Sequence, residues 1–119
     1  MRFVCLIYNS ADVDGRQTAA ETEAVVRAHF GFDDDLRDRG TLIHADALET
    51  PDKAVVLRVR NNEISMTDGP YVETKEHLAG LYIINASDMS EAIAIAAGIP
   101  CARIGTVEVR PVRILPLPE

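Results

Sequence analysis

Residues 67–76 read Thr67-Asp68-Gly69-Pro70-Tyr71-Val72-Glu73-Thr74-Lys75-Glu76. The run sets carboxylates, an ammonium group and a phenol beside two turn formers, so it could carry acid–base chemistry. Asp68 precedes a Gly-Pro pair that stiffens the turn. Its carboxylate could then act as a general base or orient a ligand. Lys75 could bind an anionic group or lower the pKa of a nearby acid. Tyr71 and Glu73 stand in the same run as ligand-binding candidates. The plainer reading is a rigid, charge-balanced exit from a hairpin, and the residues alone leave both open.

Other candidates lie outside this run. His29 sits one residue off the apolar stripe of a helix and joins Asp68 and Lys75 as a candidate catalytic group. Its plain alternative is a half-buried structural histidine. His44 and Asp46 share one face of a strand, where they could make an acid–base pair, with Asp46 a ligand-binding candidate, or pair across strands at a dimer face. Arg110 could clamp a carboxylate, and Tyr8 ends the first strand as a further ligand-binding candidate. Asp33-Asp34-Asp35 reads as a solvated helix surface. Cys101 has no base beside it in the sequence, which argues against a nucleophile. His29, His44 and His77 lack metal-ligand spacing, so no metal site is expected. No glycine-rich phosphate loop occurs, and no cofactor is expected.

These groups need a scaffold. Residues 2–8 are almost continuously apolar, the pattern of a strand buried on both faces. Residues 9–17 read as a polar loop. Thr18 and Glu21 have capping-box spacing, and Val25, Ala28, Phe32 and Leu36 then follow at helical steps up to Gly40, a C′ residue. Gly31 in mid-helix suggests a close backbone approach. Residues 41–48 form a strand with Leu42, His44, Asp46 and Leu48 on one face. Residues 54–60 and 63–67 alternate around Asn61-Asn62, a tight hairpin turn, with Ile64 and Met66 inward. Residues 80–85 form a second doubly apolar strand. Asp88 caps a helix over 89–97 with Met89, Ile93 and Ala96 on its stripe, and 106–110 is the last strand.

Without the hairpin the order is βαββαβ, an α+β ferredoxin-like fold in one domain over 1–119. The two doubly apolar strands are its central pair. Two helices cover one sheet face only, so a homodimer packed sheet on sheet is expected to cover the other. The chain carries a formal charge of −7 with a pI near 4.9 and lacks a basic stripe, which argues against direct nucleic-acid contact. There is no long apolar run or signal-peptide pattern, and the two cysteines make no disulfide framework, so a cytoplasmic protein away from membranes is expected.

The run "TDGPYVETKEHLAGLYII" resembles the DGPF-motif proteins of the YciI-like (YCII-related) family. The similarity extends to "MRFVCLIY", "RDRGTLIHADAL" with "ETP" after it, "VVLRVRNNE" and "IPCARIGTVEVRPV", almost the whole chain. It implies a dimeric α/β barrel of two ferredoxin-like protomers. Tyr71 replaces the usual Phe of the motif, and Asp46 a usual Glu. Related proteins look like small enzymes with a His–Asp pair. Their histidine falls on His29, but their aspartate falls on Ile99, so that carboxylate partner is missing. The resemblance also implies a link to extracytoplasmic-function sigma factors. Two functions are therefore expected. One is a small cofactorless enzyme doing acid–base chemistry on a small polar or anionic molecule. The other is a binding or regulatory module that docks a sigma factor or senses a ligand.

Overall fold

In the computed structural model, which describes residues 1–118, both long helices start at side-chain caps. The Thr18 hydroxyl accepts from the Glu21 N–H at 3.1 Å, and the Asp88 carboxylate accepts from the Glu91 N–H at 2.8 Å. Each satisfies a backbone donor that the helix itself cannot. The chain order is β1 (Arg2–Ser10), α1 (Ala11–Arg16), α2 (Ala19–Asp38), β2 (Leu42–Ala47), β3 (Val55–Arg60), β4 (Glu63–Asp68), β5 (Glu76–Asn85), α3 (Met89–Ala96) and β6 (Thr106–Pro111). Short 3-10 turns fill Pro51–Lys53 and Pro100–Arg103. The polar stretch 9–17 is thus not a loop: β1 runs on to Ser10 and α1 follows at once. Gly40 ends α2 at φ +70, a left-handed conformation that costs glycine little. Gly31 marks no close approach, since a Cβ there would meet nothing within 4 Å.

The main sheet has the order β2-β5-β1-β6, and every neighbouring pair is antiparallel. With the β3–β4 hairpin set aside, this is the ferredoxin-like arrangement. Phe3, Cys5 and Ile7 of β1 and Tyr82 and Ile84 of β5 are buried on the helix side, against Leu36, Ala92 and Ala96. On α3 the expected stripe holds at Ala96 but not at Ile93. The small Ala92 and Ala96 face the sheet, and Ile93 is left more than half exposed.

Two bulges shape the sheet beside β5. Leu42 pairs with Ile84 but His44 with Ile83, so Ile43 is an extra residue in β2. The bulge separates Leu42, which packs on the core, from His44 and Asp46, contrary to the simple alternation. A second bulge lies at Ala79, where Ile7 pairs with Gly80 but Tyr8 with Leu78.

The sheet face away from the helices has an apolar centre with a charged rim. Val4 lies between Ile83 and Arg110, and Leu6 between Leu81 and Glu108. One rim carries the Arg110–Glu108 ion pair at 2.5 Å, and the other the His44–Asp46 pair at 2.5 Å. Val4, Leu6, Leu81 and Ile83 are half-buried.

β3 and β4 pair only with each other. Asn61 and Asn62 turn the hairpin at φ 53 and 63, as the sequence suggests. Val55, Leu57, Val59, Ile64 and Met66 share one face of this arm, and each is more than half exposed. Ile64 and Met66 therefore do not point into a core of their own chain. The arm widens the molecule to 48 × 47 × 20 Å with a radius of gyration of 16.7 Å. A compact chain of this length has about 13.5 Å. No helix among the described residues is long and apolar enough to cross a membrane.

Leu36→Ala removes a fully buried side chain and is expected to lower the unfolding free energy by about 2–5 kcal/mol in urea titrations. Ile93→Ala on the exposed stripe should cost less than half as much.

Candidate active site

Val25, His29 and Asp33 recur every fourth residue on α2, so they form one row along the helix. This row runs beside the buried Leu36 and faces β5. There Tyr82 points up from the sheet with its hydroxyl under the helix. The turn Pro100–Arg103 brings Cys101 to the same place. Three distant segments thus place four reactive side chains together.

Their hydrogen bonds form a chain. His29 Nε2 lies 2.7 Å from Cys101 Sγ, and His29 Nδ1 lies 2.9 Å from the Tyr82 hydroxyl oxygen. The Tyr82 O–H donates to Asp33 Oδ1. A carboxylate can only accept, so Asp33 assigns the direction of every bond in the chain. Tyr82 gives its only proton to Asp33, and its oxygen must accept from His29 Nδ1–H. His29 Nε2 is then the free lone pair, and the Cys101 S–H donates to it. The tautomer follows from the network.

Burial sets the charge state. The His29 pKa is lowered from 6.5 by desolvation, partly offset by the charge of Asp33. Burial pushes the Cys101 thiol up, with a smaller push from Asp14. Tyr82 is raised strongly by burial and by its bond to Asp33. All three shifts favour a neutral thiol, a neutral imidazole and an intact phenol.

These groups line a cleft of about 390 Å³ between α2 and the sheet. Ile7, Gly80 and Tyr82 form its floor, Val25, Val26, His29, Phe30 and Asp33 its roof, and Ala45–Ala47 of β2 one wall. The bulged Ala79 also lines it. Gly80 has no room for a side chain, since a Cβ would come within 2.9 Å of the Asp46 carbonyl oxygen. Asn9 reaches the cleft from the end of β1, and its Oδ1 is buried with no hydrogen-bond partner. Among the described residues no cluster of three or more His, Cys, Asp or Glu could hold a metal ion.

The chain matches the YCII-related domain over residues 1–116. The chain belongs to the YCII-related family. It is also 31% identical over 116 residues to an uncharacterized protein of Rhizobium meliloti, covering 96% of this chain and 94% of that protein.

Of the residues singled out in the sequence of this YCII-related protein, the structure brings His29 and Asp46 to the cleft. Asp68 and Lys75 do not line it. Lys75 sits in a shallow open groove with Tyr8, Ser10, Thr74 and Glu76. Asp68 ends β4, where Gly69 N–H donates to the Ala54 carbonyl at 2.7 Å and closes the base of the arm. Tyr71 is 73% exposed, with the Arg58 guanidinium 5.5 Å above its ring, so its hydroxyl needs no buried partner. Glu73 is exposed, and Arg110 is bound to Glu108 on the open sheet face. His29, Asp68 and Lys75 are therefore not one constellation. Position 99 carries no carboxylate, and Asp33 reaches His29 through the Tyr82 hydroxyl. The sequence does not single out Tyr82; Asp33 reads there as solvated surface, and Cys101 lacks a neighbouring base in the chain but has His29 beside it in the fold. The i, i+4 spacing of His29 and Asp33 could have signalled the first step. A tyrosine on a doubly apolar strand, whose hydroxyl must find a partner, could have signalled the second.

A histidine whose pKa is lower folded than unfolded holds fewer protons in the fold. Its stabilising contribution is present above about pH 6.5 and is lost as pH falls through the folded pKa. The His29 ring proton signal should titrate below 6.5 by NMR. Wild-type protein should also lose stability relative to His29→Gln on acidification below that value. A His29 midpoint above 6.5 would refute the burial described here.

Proposed function

We propose that this protein is a small enzyme in which His29 works as a general acid–base on a molecule bound in the α2 cleft. The observation that carries this reading is the directed chain from His29 through Tyr82 to Asp33, which leaves Nε2 as the basic nitrogen, held by the Cys101 S–H at the lining of the cleft. When Nε2 takes a proton, Tyr82 holds the resulting imidazolium in orientation. The charge of the half-buried Asp33 stabilises it through Tyr82.

The lining narrows the substrate. The volume suits a small molecule. Most of the wall is apolar, with one carboxylate from Asp33 and no lysine or arginine, since the Asp46 carboxylate is turned to His44 on the other face. An anion would find repulsion and no counter-charge there. A neutral, partly apolar molecule is favoured over the anionic class that Lys75 suggested.

We further propose a homodimer, with a second copy covering the open sheet face, in a cytoplasmic protein. The apolar centre between the Arg110–Glu108 and His44–Asp46 pairs supports this, as does the projecting apolar arm. The charge of −7 gives no support to direct nucleic-acid contact. The exposed loop around Tyr71 favours a second reading, in which an extracytoplasmic-function sigma factor docks on the arm.

The neutral proton-abstraction probe 5-nitrobenzisoxazole tests the first proposal. Saturable ring opening is expected, falling by about 10²-fold or more in His29→Gln. Equal rates in both proteins would end it. Light scattering should give about twice the 13.0 kDa chain mass, and Leu6→Lys should return the protein to monomer. A wild-type monomer at micromolar concentration would end the dimer proposal. Recovery of a sigma factor by wild type but not by Tyr71→Asp would favour the docking reading.

A further inference from the structure

Cys101 is the one group of the relay that the acid–base reading does not use. It is a thiol with a base at hydrogen-bond distance, inside a cleft large enough for a substrate. We propose that Cys101 is a nucleophile activated by His29, and that its substrates are small, uncharged α,β-unsaturated carbonyl compounds. This rests on the reading of His29 as the cleft base.

The step balances within the four side chains and the substrate. Sulfur attacks the β carbon as the S–H proton passes to His29 Nε2. A C–S bond forms, and the π electron pair moves through the α carbon to the carbonyl oxygen as an enolate. The Nε2–H then returns the proton to the α carbon. The net change is addition of S–H across the double bond, and elimination reverses it. No oxidant, reductant or further reactant enters.

Three observations favour this class. The thiol and imidazole rest as a neutral pair, so the proton must leave as the bond forms. The required base lies at 2.7 Å and in the correct tautomer. The nitrogen that takes the proton sits beside the sulfur, and the α carbon, where the proton must return, is one carbon–carbon bond from the atom that sulfur attacks. The mainly apolar lining suits an enone. Tyr82 and Asp33 meanwhile hold the imidazolium. Cys5 has none of this. It is fully buried, its pKa is raised to about 11, and no base touches it.

The probe is 2-cyclohexen-1-one, read by intact mass and peptide mapping. One adduct is expected, on Cys101, at a rate that saturates with enone concentration and exceeds that of N-acetylcysteine. His29→Gln should slow it about 10²-fold and Tyr82→Phe about 10-fold, with folding of each variant checked by circular dichroism. Cys101→Ser should abolish it. A rate equal to that of N-acetylcysteine, or one unchanged in His29→Gln, overturns the proposal. If benzisoxazole opening persists with no accelerated adduct, the base stands and the nucleophile falls. If neither reaction is accelerated, both fall.

Discussion

Burying the Tyr82 hydroxyl under a helix is the constraint from which the site follows. A phenol placed between sheet and helix without a partner would cost about 1–3 kcal/mol. α2 answers with a carboxylate and an imidazole one turn apart, and the two cannot exchange roles. Asp33 takes the proton end of the hydroxyl and His29 takes the oxygen. Satisfying one buried group thereby sets a tautomer, and the tautomer decides where the reactive lone pair points. Structural satisfaction and chemical poise are the same hydrogen bonds.

The sheet adds a second constraint. Two helices shield one face, while β1 and β5 present apolar side chains to both. The chain resolves this with paired charges on the outer strands and leaves the middle open. The cleft lies on the covered face and the rim charges on the other, so the two surfaces do not compete for residues. Asp46 marks the border between them, because its strand walls the cleft while its carboxylate holds His44.

What could be read from the sequence were the features governed by neighbours in the chain. Thr18, Asp88, Gly40 and Asn61-Asn62 act within a few residues, and their helix starts, stop and turn appear in the structure. The two doubly apolar strands are the central pair. The bulge at Ile43 was not legible, since an extra residue leaves composition unchanged and shifts only the pairing. The α3 stripe was misread at Ile93 because alanine carries little weight in a hydrophobic stripe yet packs closest to a sheet. The site was hidden by distance, with 53 and 72 residues separating His29 from its partners Tyr82 and Cys101. Asp33 was further masked by two acidic neighbours that face solvent. The loop from Asp68 to Glu76 drew attention through its density of functional groups, and it belongs to the arm.

That arm enters the chain as a single excursion between β2 and β5, and none of the cleft lining comes from it. Its length, turn and apolar face can drift without moving a relay atom. The cleft can change in turn without altering the arm. The arm and the cleft of this scaffold can therefore diverge independently of one another.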